Sequence, residues 1–205
     1  MSSEAARRAL VRLMCVLEKD SDPDDAAGRL IEGFVNPERV FETDAEDLIA
    51  KAGVSRRAAE MVDFIDELTR RVLTDEYGIR PKLNTAKSAG DYMRALMRGR
   101  HVEYCYAACL DKSGRLIQVK LLQRGTIDSA NIYIRDVVQV ALRTGASGIV
   151  LAHNHPGRTL RPSGDDVQVT RAAREALKMA DVELIEHVIV TDSGSIGIIE
   201  EGYLI

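Results

Sequence analysis

The stretch that decides the fold runs from Gly148 to Pro156 and reads Gly-Ile-Val-Leu-Ala-His-Asn-His-Pro. It begins with a short apolar run, which is typical of a buried strand. Because residues i and i+2 of a strand point to the same face, His153 and His155 present two imidazoles to one place at the strand's end. Pro156 stops the strand because proline has no N–H to give to a sheet. The stretch therefore predicts a buried strand that carries two polar side chains at its carboxyl end.

A helix start follows the strand. After Pro162, Ser163 opens the helix, and Asp166 lies in its first turn, where a carboxylate can face the two histidines. The pattern Ser-x-x-Asp is also an ordinary capping box, and the two roles are compatible, since Ser163 can cap the helix while Asp166 binds a cation. Spacing alone does not choose between Asp165 and Asp166.

Two histidines and one carboxylate form a three-ligand set for a divalent metal. Such a set leaves the fourth tetrahedral position to water, as in catalytic rather than structural zinc sites. Zinc lowers the pKa of water to about 7, and hydrolysis then needs a general base to take and deliver the proton. Our candidate base is Glu103, on the first long strand, although taken alone it would be interpreted as a solvent-facing strand residue.

Strands and helices are mixed in the second half of the chain, which favours an α+β or α/β sandwich-like domain over a doubly wound sheet. The patterns predict helices over Ser88 to about Met97, Tyr133 to Thr144 and Ser163 to about Met179, and strands over His101 to Leu110, Arg115 to Gln123, Ser147 to His153, Val182 to Thr191 and Ser195 to Ile199.

Residues 1–74 contain helical patterns throughout, and the stretch from Thr74 to Ala86 lacks periodicity and contains Gly78 and Pro81. We therefore expect a small all-α domain over residues 1–80 and a second domain over 81–205. The last helix of the first domain has apolar residues at spacings of 3 and 4, which predicts one buried stripe. The stripe consists of Ala58, Met61, Val62, Ile65, Leu68 and Val72.

The order His-x-His, seven residues, Ser, two residues, Asp resembles the motif of the JAMM (MPN+) metalloprotease family, and the His-Asn-His-Pro form resembles its RadC branch. The similarity covers roughly residues 82–205. Further matches in the expected order are the strand with Glu103, the turn at Gly125-Thr126, Arg135-Asp136 before a helix, and the run Glu186 to Val190 after the motif helix. The resemblance implies the JAMM (MPN, cytidine deaminase-like) fold, a mixed sheet flanked by helices.

The resemblance also implies roles for the site residues. His153, His155 and Asp166 would bind Zn²⁺, Glu103 would be the general acid/base, and Ser163 would help to stabilise the oxyanion. The substrate would be a peptide or protein, cleaved at a peptide or isopeptide bond. We interpret His187 as a hydrogen-bonded histidine of the core. The chain departs from the family at Gly157-Arg158, where Ser-Gly is usual, but the ligand spacing is unchanged.

The segment from Ala52 to Ala59 resembles the hairpin of a helix-hairpin-helix module, in which backbone N–H groups contact a DNA phosphate. Gly53, Ser55, Arg56 and Arg57 are the candidate contacts, with Ser55 in place of the second glycine. Residues 1–80 hold 12 Lys/Arg against 18 Asp/Glu, and residues 81–205 hold 16 against 14. Because phosphate binding depends on positive charge, the acidic first domain disfavours DNA as a partner.

Two rival functions follow from these patterns. One is a DNA-binding adaptor associated with repair or replication, in which the metal site is structural or vestigial. The other is a nuclease, which is disfavoured because the sequence offers no second acidic cluster for a two-metal site. The absence of an apolar run of about 20 residues and of a signal-like segment predicts a cytoplasmic protein without a membrane span. Cys105 and Cys109 are expected to be core residues rather than a metal pair.

Overall fold

In the computed structural model the chain is described over residues 3–19, 22–34, 37–43, 45–125, 133–156 and 159–204. Thr126, Gly157 and Arg158, which entered the resemblance above, lie outside these ranges. The chain divides into two compact units, Met1–Val72 and Leu73–Ile205. The helices are α1 (Ser3–Leu17), α2 (Pro23–Phe34), α3 (Pro37–Val40), α4 (Ala45–Ala52), α5 (Arg56–Asp75), α6 (Ala86–Leu96), α7 (Ile134–Thr144) and α8 (Gly164–Met179), and the strands are β1 (Glu103–Leu110), β2 (Leu116–Gly125), β3 (Gly148–Asn154), β4 (Glu183–Val190) and β5 (Ser195–Gly197).

The second unit is built on one mixed sheet with the strand order β2-β1-β3-β4-β5. Strand β3 is central: it pairs antiparallel with β1 and parallel with β4. All seven of its residues are buried, as expected for a strand covered on both faces. The β1–β2 connection is the predicted tight turn, closed by a hydrogen bond from the Gly114 N–H to the Asp111 carbonyl. The structure confirms the predicted mixed sheet flanked by helices.

Helices cover the two faces of the sheet. Helix α6 packs on one face, and α7 and α8 share a core cluster with the other. Alternate residues of β1 divide between the faces, so that Ala107 and Cys109 lie under α7 and α8 while Ala108 and Leu110 lie under α6. Cys105 and Cys109 are both buried, in keeping with their interpretation as core residues. The face under α7 and α8 is the one that carries the candidate site.

Helix α6 begins earlier than predicted. The helix starts at Ala86, not at Ser88, because Thr85 is the N-cap. The Thr85 side chain accepts a hydrogen bond from the Ser88 N–H at 3.1 Å, and the Ser88 hydroxyl accepts from the Thr85 N–H at 3.3 Å. Ser88 therefore closes the capping box from the third helical position instead of opening it.

The apolar stripe predicted for α5 is buried only at its start, so that prediction was wrong. Ala58 and Val62 belong to the core of the first unit, but Leu68 is 51% exposed and Val72 66% exposed. The reason is length. A helix of 20 residues is about 30 Å long, and the core cluster of this unit reaches α5 only as far as Val62.

A buried carboxylate fixes the end of the sheet. Glu186 in β4 is 3% exposed, and its Oε1 accepts hydrogen bonds from the N–H groups of His187 and Ile199, both at 2.8 Å. Its Oε2 accepts from the Glu200 N–H at 3.0 Å. One side chain thus satisfies three backbone donors where the chain leaves β5.

Within the described ranges, no helix is both long enough and apolar enough to cross a lipid bilayer.

We expect Glu186→Gln to lower the free energy of unfolding by about 2 kcal/mol. The amide has only one acceptor oxygen, so its NH₂ group faces at least one of the three N–H donors and leaves it unpaired. Urea unfolding followed by circular dichroism measures this loss. The matched control is Glu183→Gln, an exposed position in the same strand, which should leave stability within about 0.5 kcal/mol of the parent. Equal stabilities for the two variants would contradict a structural role for Glu186.

Candidate metal centre

Strand β3 delivers two imidazoles to one place. His153 is the second-last residue of the strand, and the extended pairing continues one step beyond it, since the His155 N–H donates to the Val190 carbonyl at 3.0 Å. The alternation of a strand therefore still holds at His155, and both rings lie on the same side. The two Nε2 atoms are 2.9 Å apart.

Helix α8 brings a carboxylate to the two rings. Asp166 Oδ1 lies 3.2 Å from His153 Nε2, and Oδ2 lies 3.6 Å from His155 Nε2. The three residues offer ligand atoms that are all within 4.8 Å of one another, close enough to share one ion. Asp165 is exposed and is not part of this group. The choice that spacing left open therefore falls on Asp166.

Ser163 caps α8 and orients the same carboxylate. Its hydroxyl donates to Asp166 Oδ2 at 2.7 Å, its N–H donates to the same oxygen at 2.7 Å, and its Oγ accepts from the Asp166 N–H at 3.1 Å. Because these bonds engage Oδ2, the other carboxylate oxygen faces His153. Asp166 is thus both the capping-box acid and a member of the cluster, and the N-terminus of the helix favours its negative charge.

The positions of the histidine protons leave nitrogen lone pairs that a metal could use. His155 Nδ1 lies 2.9 Å from the Thr159 carbonyl, which can only accept, so Nδ1 carries the proton and the Nε2 atom of the neutral ring offers a lone pair. His153 Nδ1 is likewise engaged, at 2.8 Å from His187 Nε2. Two imidazole nitrogens and a carboxylate are ordinary zinc ligands, and a divalent cation relieves the repulsion between lone pairs at 2.9 Å. The residues present therefore fit a zinc ion.

Neighbouring charge and burial shift the pKa values in the cluster. Burial favours a higher pKa for Asp166, but the adjoining His153 and His155 and the hydrogen bonds from Ser163 outweigh it and hold the pKa well below its ordinary value. Burial also favours a lower pKa for His155, yet the adjoining Asp166 carboxylate and the hydrogen bond to the Thr159 carbonyl raise it overall. For His187, burial holds the pKa well below 6.5, so this ring is neutral. Asp166 is the permanent negative charge of the group.

Glu103 lies on the same face and lines the same cavity. It stands two residues before Cys105, which is directly opposite His153 in the sheet, so the side chains of all three share one face. Glu103, His153 and Asp166 line a small cavity of about 40 Å³, enough for a water molecule. The structure thus brings Glu103 to the cluster. Ser163 adjoins the cluster through its hydrogen bonds to Asp166.

Asn154 is a site residue that the sequence reasoning missed. Its side-chain oxygen accepts from the Tyr104 N–H at 2.7 Å, and its NH₂ group donates to the Val102 carbonyl at 2.9 Å. These two backbone groups flank Glu103 on both sides. The Asn154 amide therefore continues the β1–β3 ladder by one step past Cys105 and holds Glu103 in place. The clue in the sequence was an amide residue in the middle of His-x-His, whose partner depends on strand register.

The DNA-binding candidates lie together at a hairpin of the first unit. Gly53 has a φ of +60°, in the left-handed region that favours glycine. The Ser55 N–H, however, donates to the Glu18 carboxylate at 2.6 Å, and the Ser55 hydroxyl accepts from the Ala58 N–H at 3.2 Å as the cap of α5. Arg56 and Arg57 are exposed, and Arg56 lies 3.8 Å from Glu60. A carboxylate of the chain itself therefore takes the Ser55 N–H that the resemblance assigns to a phosphate.

Comparison with known proteins gives matches over most of the chain. A family model described as a RadC-like JAB domain matches residues 83–203. A UPF0758 protein of Bordetella parapertussis is 34% identical over 175 residues, which cover 85% of this chain and 78% of the relative. A UPF0758 protein of Neisseria gonorrhoeae is 33% identical over 167 residues, with coverages of 82% and 74%. One from Vibrio vulnificus is 29% identical over 180 residues, with coverages of 88% and 80%.

We expect Asn154→Ala to destabilise the protein by about 2 kcal/mol, because it removes the side-chain partner of the buried Tyr104 N–H and of the half-buried Val102 carbonyl. The amide proton of Tyr104 should then exchange with solvent about tenfold faster, since the start of β1 can open locally. Hydrogen exchange followed by NMR measures this directly. Asn84→Ala, at an exposed asparagine, is the control. Unchanged exchange at Tyr104 would show that the amide does not hold the strand.

Proposed function

The chain belongs to the RadC-like JAB domain family, and we propose that residues 81–205 form a zinc-dependent hydrolase of the metallopeptidase or isopeptidase type. One observation carries the proposal. The nitrogens of His153 and His155 and the Asp166 carboxylate converge within 4.8 Å, and Glu103 lines the cavity beside them. The proposed substrate is a peptide or protein.

His153, His155 and Asp166 would hold the metal. A zinc ion with such a ligand set acts as a Lewis acid, which makes water acidic near neutral pH and polarises a carbonyl group. Two neutral imidazoles and one carboxylate contribute a single negative charge, so the ion would keep a net positive charge for this purpose. Supporting hydrogen bonds from Ser163 and to Thr159 fix the ligand side chains before any ion binds.

Glu103 is proposed as the general acid/base. Its carboxylate would take a proton from water as water attacks the substrate carbonyl, and would then deliver that proton to the departing amine. The role requires a carboxylate held beside the ligands yet outside the ligand set. Its position in the cavity with His153 and Asp166, and its anchoring on both sides by Asn154, support this assignment.

Ser163 is proposed to assist at the developing oxyanion. In the resting arrangement its hydroxyl donates to Asp166 Oδ2, so assistance requires the hydroxyl to turn towards the substrate. The Ser163 N–H remains on Oδ2 during that turn and keeps the carboxylate oriented. The exposure of Ser163 leaves its hydroxyl the room to turn.

The rival functions have less support. For a two-metal nuclease a second cluster is required, but the described residues contain one such group of His, Cys, Asp or Glu. For a DNA-binding adaptor the hairpin at Gly53 would have to accept phosphate. We propose instead that this hairpin makes no specific DNA contact, because Glu18 already accepts from the Ser55 N–H and repels a phosphate.

The hydrolase proposal predicts that the purified full chain binds one zinc ion and that two variants separate binding from chemistry. His153→Ala should lose zinc, whereas Glu103→Gln should retain it and lower hydrolysis by about 10²- to 10⁴-fold. Zinc is measured by competition with a chromogenic chelator. Hydrolysis is measured by mass spectrometry on a panel of α-linked and lysine-ε-linked peptides.

The control is His101→Ala, at a histidine that is not one of the proposed ligands, which should bind zinc like the parent. Removal of zinc with a chelator should abolish hydrolysis, and re-addition should restore it. Retained zinc in His153→Ala would overturn the ligand assignment, and undiminished hydrolysis in Glu103→Gln would overturn the mechanism.

The DNA proposal predicts weak, non-specific binding by the full chain. The affinity for duplex and branched DNA, measured by fluorescence anisotropy, should be no better than that of a non-specific binder at either of two salt concentrations, about 50 and about 200 mM. The double variant Arg56→Ala/Arg57→Ala should have nearly the same affinity as the parent. Glu18→Gln, which removes the negative charge from the hairpin, should raise affinity at low salt. Tight, salt-sensitive binding that is lost in the double arginine variant would favour the adaptor instead.

A further inference from the structure

A line of hydrogen bonds runs from the backbone of α8 to one of the metal-site histidines. Thr170 Oγ1 lies 2.5 Å from the Asp166 carbonyl oxygen and 2.6 Å from His187 Nδ1. On the far side of that ring, His187 Nε2 lies 2.8 Å from His153 Nδ1. The line therefore joins a backbone carbonyl, a hydroxyl and two imidazoles in sequence.

The carbonyl at one end fixes the direction of every proton. A carbonyl oxygen only accepts, so the single Thr170 hydroxyl hydrogen must point to the Asp166 carbonyl. The Thr170 oxygen then accepts from His187 Nδ1–H, which leaves a lone pair on His187 Nε2. That lone pair accepts from His153 Nδ1–H. The result is a His153 ring whose Nε2 is free of hydrogen and faces Asp166 and His155.

The opposite direction would spoil the site. If Thr170 donated to His187 Nδ1, His187 Nε2–H would donate to His153 Nδ1, and the His153 hydrogen would sit on Nε2. His153 could not then bind a cation through Nε2. Meanwhile the Thr170 and Asp166 oxygens would face each other at 2.5 Å without a hydrogen between them. The hydrogen bond from Thr170 to the Asp166 carbonyl thus determines which nitrogen of His153 carries the hydrogen.

Burial keeps water from replacing these bonds. Thr170 and His187 are fully buried, and His153 is 6% exposed. His187 reaches this position because it pairs with Leu151 in the neighbouring strand, two residues before His153, on the face covered by α8. A broken link in such a place leaves a buried polar atom unpaired, which is costly.

We propose that Thr170 and His187 are positioning residues that hold His153 in the tautomer able to bind the metal through Nε2. This inference rests on the proposed zinc site and concerns how the protein sets the tautomer of His153 before zinc binds. The partner of a metal-binding histidine is commonly a carboxylate, a carbonyl or water, and losing it costs about 10- to 100-fold in metal affinity. His155 has such a direct partner in the Thr159 carbonyl, whereas His153 depends on two further side chains.

The test uses the full chain and a pair of variants at Thr170. Thr170→Val keeps the shape but removes both hydrogen bonds, and zinc affinity should fall about 10- to 100-fold, as measured by chelator competition. Thr170→Ser restores the hydroxyl and should restore affinity. The matched control is Thr144→Val, because Thr144 in α7 makes the same type of bond to its i−4 carbonyl, at 2.8 Å, away from the site.

A second readout reports the tautomer without metal. In ¹⁵N NMR spectra of the zinc-free chain, His153 should carry its proton on Nδ1 in the parent and in Thr170→Ser, and should show a mixture of tautomers in Thr170→Val. His187→Leu removes the acceptor altogether and should weaken zinc binding at least as much as Thr170→Val. If His187→Leu does not fold, the Thr170 pair still decides.

The outcomes distinguish this inference from the proposed function. If the parent binds no zinc, or binds it equally after His153→Ala, the metal site itself is wrong. If the parent binds zinc through His153 but Thr170→Val shows the same affinity and the same His153 tautomer, the site stands and the positioning role is overturned.

Discussion

The site depends on the pairing of β3 on both of its sides. A central strand has its backbone groups bonded to two neighbours, so the direction of each side chain is set by the ladder rather than by local flexibility. On one side β1 brings Glu103 to the face of His153, and on the other side β4 brings His187 to the same face. A slip of one residue in either pairing would turn these side chains to the face of α6.

Helix α8 adds the third member of the cluster through a cap that serves two purposes. The Asp166 carboxylate divides its oxygens, with Oδ2 on the Ser163 N–H and hydroxyl and Oδ1 towards His153. A carboxylate held in this way cannot rotate without breaking the capping box at the start of its helix. The capping box therefore supplies rigidity as well as helix stability, which a metal centre needs if its ligands are to be in place beforehand.

Local periodicity predicted the parts of the fold and site that depend on neighbours in sequence. The two histidines follow from the period of a strand, and Asp166 follows from a helix start. Periodicity could not predict contacts that depend on the register between distant segments. Examples are the hydrogen bonds of Asn154 to the backbone on both sides of Glu103 and the hydrogen bond between His187 and His153. The exposed end of α5 was missed for a related reason, since a pattern of apolar residues does not reveal how far the other helices of the unit reach.

The charge of the cluster is the same for both tautomers of His153, so metal binding depends on the tautomer in a way that charge does not show. Neutral imidazoles at His153 and His155 leave the cluster with the charge of Asp166, and Glu103 adds a second negative charge to the cavity wall. A divalent cation would keep a net charge of +1 with these three residues, and the Glu103 carboxylate beside them would balance that charge across the cavity, which lowers the cost of holding an ion where water is scarce. If His153 carried its hydrogen on Nε2, the charge would be unchanged but the lone pair would face His187. The negative charge around a cation would then be the same, but His153 could no longer bind the cation through Nε2. The hydrogen bonds from Thr170 to His153 therefore control the direction of this lone pair, which the charge of the cluster does not determine.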